Sequence, residues 1–103
     1  MKERYAAPNK TLEVFKMTTQ NVINLFVSGA TKGKASSISI EGDKLFNYST
    51  VIAQRVNGEI VLNATRYSMT TTKHQNVLKR ELPQNVQKVN DVPRGAQDLT
   101  RFL

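Results

Sequence analysis

The chain has 103 residues, no cysteine and one histidine, with 15 lysines and arginines against 8 aspartates and glutamates and a formal net charge of +7. That length fits one small domain. The missing thiols exclude a disulfide framework, and one histidine leaves a zinc site short of ligands. The positive charge argues against mimicry of DNA and points to an anionic partner, nucleic acid first, although the same charge also serves plain solubility.

Hydrophobic residues make up 39% of the chain. That is a small share, so modest stability or self-association into a homo-oligomer is expected. No apolar run approaches the ~20 residues of a membrane span. Met1-Lys2-Glu3-Arg4 has no apolar stretch behind it, so no signal peptide and a cytoplasmic location are expected.

Residues 1–10 carry Lys2, Arg4 and Lys10 and read as a flexible basic arm. Thr11 to Met17, with Leu12, Val14 and Phe15, reads as a short strand. Thr18 or Thr19 is placed to cap a helix through Gln20–Ser28, with Val22, Leu25 and Phe26 as one apolar stripe and Gly29 as the stop. Ser28 to Ser37 is a polar loop. It lacks the glycine, the metal-binding hydroxyl and the preceding strand of a phosphate-binding loop, so Lys32 and Lys34 are at most phosphate-backbone contacts.

Two hairpins follow. Ser37–Glu41 and Lys44–Tyr48 flank Gly42-Asp43, a pair suited to a tight turn with glycine first. That register sets Ile40 opposite Leu45 and Ser39 opposite Phe46. Ile38, Ile40 and Leu45 then share one face, and Lys44, Phe46 and Tyr48 the other. Val51–Val56 and Glu59–Thr65 flank Asn57-Gly58, a strong hairpin signal. Its register pairs Arg55 with Ile60, Ala53 with Leu62 and Val51 with Ala64 on a core face. Thr72 and Gln75 have the spacing of a capping box, and a helix over Lys73–Leu82 stops at Pro83. His74, Val77, Leu78 and Leu82 form its apolar side. Lys73, Asn76, Lys79 and Arg80 form a basic outer side.

After Pro83 the valines at 86, 89 and 92 fit neither a strand nor a long helix. Ala96, Leu99, Phe102 and Leu103 either dock as a last turn or form an exposed motif for a protein partner.

Three groups of residues could carry function. His74, with Tyr67, Arg66 and Lys73 nearby in sequence, could be written as the centre of a hydrolase, yet it sits on an apolar helix face with no nearby base or orienting carboxylate. Phe46 and Tyr48 beside Lys44 could stack bases of single-stranded nucleic acid, or both rings could be core. Lys73, Asn76 and Arg80, with Lys79 and Arg66, could follow a phosphate backbone or simply be a solvated face.

Four stretches carry a resemblance: Gly42-Asp43, Tyr48-Ser49, Ala53 with Arg55, and Tyr67-Ser68-Met69-Thr70-Thr71-Thr72-Lys73-His74. Over about residues 41–80 the chain resembles a family of small phage- and plasmid-borne proteins of unknown function. In that family a Gly-Asp turn, a Tyr-Ser step and a Tyr-Ser-x-Thr-Thr-x-Lys-His signature recur. Gln54 departs from its pattern by separating Ala53 from Arg55. The resemblance implies a viral or mobile-element origin and no particular activity.

The expected architecture is α+β: a small antiparallel sheet of four or five strands, with one or two helices on one face. Residues 11–83 form the domain and 84–103 a C-terminal tail. The expected function is a non-enzymatic binding protein of phage type, without cofactor or metal, acting on nucleic acid or a nucleoprotein complex. Its contacts would be Lys73, Asn76, Lys79, Arg80, Arg66, Lys44, Phe46, Tyr48, Lys32 and Lys34. The rival is an inhibitor or adaptor that captures a host factor, such as an anti-defence or anti-CRISPR protein, through Leu99, Phe102 and Leu103.

Overall fold

The computed structural model describes residues 17–103. The basic arm and, apart from Met17, the strand expected over 11–17 lie outside them. The first helix, α1 (Thr19–Val27), starts where a hydroxyl can accept from its first turn. Thr18 Oγ1 accepts the Asn21 N–H and Asn21 Oδ1 accepts the Thr18 N–H, both at 3.1 Å. The reciprocal pair satisfies two otherwise orphaned groups. Gly29, at φ +108°, ends the helix in a conformation a Cβ would oppose.

Six strands follow in one sheet ordered as in the sequence: β1 (Lys32–Ala35), β2 (Ile38–Glu41), β3 (Lys44–Asn47), β4 (Thr50–Val56), β5 (Glu59–Asn63) and β6 (Gln87–Val89). Both hairpin turns set the expected register, with Ile40 opposite Leu45, Arg55 opposite Ile60 and Ala53 opposite Leu62. The sheet is nevertheless larger than expected. β1 comes from the supposed polar loop, where Lys-Gly-Lys-Ala has little strand propensity and is held by pairing with β2. β6 pairs parallel to β5 after the chain crosses over through helix α2 (Met69–Glu81).

α2 begins one turn earlier than expected, because Ser68 rather than Thr72 is its cap. Ser68 Oγ accepts the Thr71 N–H at 3.3 Å. The box from Thr72 to Gln75 does not form. Gln75 is buried and donates instead to the carbonyls of Asn63 (2.7 Å) and Thr65 (2.8 Å). Those carbonyls lie at the end of β5, where the ladder no longer supplies donors.

Both faces of the sheet are covered. α1 and α2 lie on one, around Val22, Ile23, Phe26, Ile38, Leu45, Leu62 and Leu78. The other face holds a second core of Phe46, Val51, Val61, Val89, Val92 and Leu99. The segment after β6 makes it, by folding back beneath the sheet. The three-residue valine spacing is explained by this path: Val86 packs on the helix side, and Val89 and Val92 on the opposite side.

The second core corrects one expected face. A register shift between Leu45 and Phe46 leaves Ile52 as the extra residue of β4. One extra residue reverses which side every later position faces. Ile52 and Ala53 therefore both join the helix-side core, and Val51 joins Phe46 on the other side.

Candidate functional site

Buried polar side chains bind the C-terminal segment to the sheet. Gln54 Oε1 accepts the Leu99 N–H at 2.7 Å, and Gln54 Nε2 donates to Asp98 Oδ1 at 2.8 Å. Hydrogen bonds from Thr100 and Gln54 hold the Asp98 carboxyl well down, at about 2. Thr50 Oγ1 accepts the Gly95 N–H at 2.8 Å. The fully buried Asn63 donates to the Val51 carbonyl and to Tyr67, whose hydroxyl donates to the Val92 carbonyl.

The stretch from Tyr67 to His74 belongs to the same scheme. Tyr67 ties β5 to the returning segment, and Ser68 caps α2. Thr71 Oγ1 accepts from Asn47 Nδ2 at 2.6 Å. Asn47 Oδ1 accepts from Ser37 at 2.8 Å and stands 3.0 Å from His74 Nδ1. Since the amide nitrogen is engaged with Thr71, the neutral imidazole carries its proton on Nδ1. Burial, followed by the neighbouring Lys73, pushes the His74 pKa down and favours that neutral form. His74 is held by an amide, and Ser37 bonds to Asn47 rather than to the ring, so the geometry is that of a buried strut.

An open groove lies at this end of the molecule, with a volume of about 410 Å³. The β3–β4 turn, the start of α2 and the loop at Arg94 form its walls, with Tyr48, Ser49, Tyr67, Ser68, Thr70 and Arg94 among its lining. Tyr48 is 71% exposed and has φ +56°. It is the first of two residues in a tight turn closed by the pairing of Asn47 with Thr50. Glycine or asparagine takes this conformation at little cost, whereas a bulky side chain there is an outlier. The ring gains almost no burial in return. The Arg94 guanidinium stands 5.9 Å from the centre of the Tyr67 ring.

The sequence-predicted contacts divide. Lys73, Asn76 and Arg80 are exposed along one stripe of α2 that begins at Met69, itself 83% exposed; Lys79 is exposed on its flank. Arg66 is exposed just before Tyr67. Tyr48 stands across the groove from the start of that helix. Phe46 is not its partner: it is buried in the second core and has no face to offer a base. Lys44 lies at the far end of β3, where its charge bears on Asp98. Lys32 and Lys34 are exposed on the edge strand β1, where lysines also guard against pairing with another sheet.

The tail residues are corrected too. Leu99 is fully buried and Phe102 half-buried against the same core, so only Leu103 is free to meet a partner. Arg94 was not among the residues expected. Its signal was only that it sits in the Pro93-Arg94-Gly95 break, 27 residues from Tyr67 in sequence.

Among the described residues the one ion pair is Arg55 with Asp43, at 3.6 Å. The exposed cations of α2 and Arg94 are therefore not neutralised by carboxylates of those residues. No group of three or more His, Asp or Glu among the described residues could hold a metal ion. No helix there is long and apolar enough to cross a membrane.

No curated protein and no solved structure matches the chain. A family model does match, over residues 16–91, which take in every element from α1 to β6 and stop short of Arg94 and Leu99. The chain belongs to that family, described as a family of unknown function (DUF8033).

Proposed function

We propose that this chain is a small, basic, non-enzymatic binding protein of phage or other mobile-element type that acts on nucleic acid or a nucleoprotein complex in the host cytoplasm. The observation that carries this reading is Tyr48. An aromatic ring 71% exposed, on a backbone of φ +56°, contributes neither burial nor favourable local conformation to the fold. Strain kept at an exposed aromatic supports a contact made with something other than the fold. The cations around it define the partner's sign: Arg94 lines the same groove, and Lys73 and Arg80 stand on the outer stripe of the adjoining helix. Side chains of this kind meet phosphates, and an exposed ring meets bases.

The test is the salt dependence of affinity for a labelled polynucleotide. Binding should fall steeply with salt, by about 0.7–0.9 in log–log slope for each phosphate neutralised. Replacing both Lys73 and Arg80 by Gln should flatten that slope by about 1.4–1.8. Affinity independent of salt, or a slope unmoved by the double variant, contradicts the reading.

A further inference from the structure

The groove beside Tyr48 is more specific than a basic surface. Its volume of about 410 Å³ lies within the ~300–1,000 Å³ typical of small-ligand sites. A duplex does not fit such a space, and its bases hide their faces against one another. A free aromatic face is matched only by a base that has left its stack.

The remaining lining suits the other parts of a nucleotide. Ser49 and Thr70 are exposed hydroxyls, able to donate or accept. Thr50 is 6% exposed, lines the same groove and accepts the Gly95 N–H at 2.8 Å. Arg94 brings a planar cation that has no carboxylate partner among the described residues. Its fork matches phosphate geometry.

We infer that this groove is a pocket for one unpaired nucleotide of a single strand, with the base on Tyr48 and the adjoining phosphate on Arg94. The inference rests on the nucleic-acid reading above and sharpens it from a polyanion to an unstacked base.

The experiment compares a short fluorescein-labelled single strand with the same sequence as a duplex, by anisotropy at matched salt. Wild type, Tyr48→Asn, Arg94→Gln and the Lys73→Gln/Arg80→Gln double variant are titrated side by side. The single strand should bind more tightly than the duplex. Tyr48→Asn should weaken the single strand about 5- to 150-fold with the salt slope unchanged. Arg94→Gln should reduce that slope by about 0.7. Equal affinity for both forms, with Tyr48→Asn silent while the double variant still weakens binding, overturns the pocket and leaves nucleic-acid binding standing. No binding to either form at low salt overturns both.

Discussion

The Arg55 guanidinium lies 4.3 Å from the centre of the Phe26 ring and donates at 2.6 Å to that residue's own carbonyl. The same nitrogen reaches the Ala30 carbonyl at 2.6 Å, and the other reaches Gly42 at 3.1 Å. One β4 side chain thus closes the end of α1, where carbonyls lack i+4 partners, and ties it to the β2–β3 turn. The pair with Asp43 adds little, because that carboxylate is exposed.

Removing this junction should be expensive. Arg55→Ala should lower unfolding free energy by about 3 kcal/mol, since hydrogen bonds to a charged group contribute about 1.5–3 kcal/mol. Arg55→Lys should recover less than half of that loss, because an ammonium cannot serve three carbonyls and a ring face in one plane. Urea unfolding of the two variants decides it. Equal stability of wild type and Arg55→Ala would remove the junction from the account.

The second core makes the end of the chain structural. Leu99→Ala should cost about 2–5 kcal/mol, as for other fully buried leucines. Deleting residues 96–103 should lower the melting temperature sharply, since it strips Leu99 from Phe46 and Val51 and leaves Gln54 unsatisfied. A tail that served only as a docking motif would be removable with no change in melting. Calorimetry of the truncated chain separates the two.

Two titrations should set the acid limit. Burial and then Lys73 lower the folded-state pKa of His74 below its ordinary 6.5. Above pH 6.5 the ring is neutral in both folded and unfolded chains, so it adds no pH dependence. As pH falls below 6.5 the unfolded chain takes the proton first, and stability declines towards the folded pKa. Asp98 moves from 3.8 to about 2 on folding, so its contribution is present above pH 3.8 and is lost as pH falls to about 2. Urea midpoints measured from pH 7 to pH 5 should fall in wild type and stay level in His74→Gln. The Asp98→Asn variant should lose its dependence only in the lower window.

Much of the helix-side half was legible in sequence because its determinants are local. Gly42-Asp43 and Asn57-Gly58 fixed two registers, and Thr18 and Gly29 bounded α1. The other half was not legible, because its determinants are far apart in the chain. Gln54 bonds to residues 44 and 45 positions away, and Asn63 holds Val51. Those polar residues look like the solvent side of a one-sided sheet when the returning segment is not in view. The extra residue Ile52 hid the switch of Val51 from one face to the other, since bulges leave no compositional trace. At the candidate site, the exposure of the α2 cations could be read from spacing. Phe46 could not be separated from Tyr48 by alternation, which puts both on one face. The turn at Tyr48 ends that alternation, and the second core claims Phe46.

On the proposed function, Tyr48 serves a partner and not the fold. The most direct measurement pairs a thermal melt with a single-strand titration of Tyr48→Asn. Asparagine tolerates a positive φ, and the ring it replaces is 71% exposed, so the variant should melt at or above the wild-type temperature. It should also bind at least 5-fold more weakly. A variant that melts lower and binds as tightly would mean that Tyr48 stabilises the turn and contacts nothing.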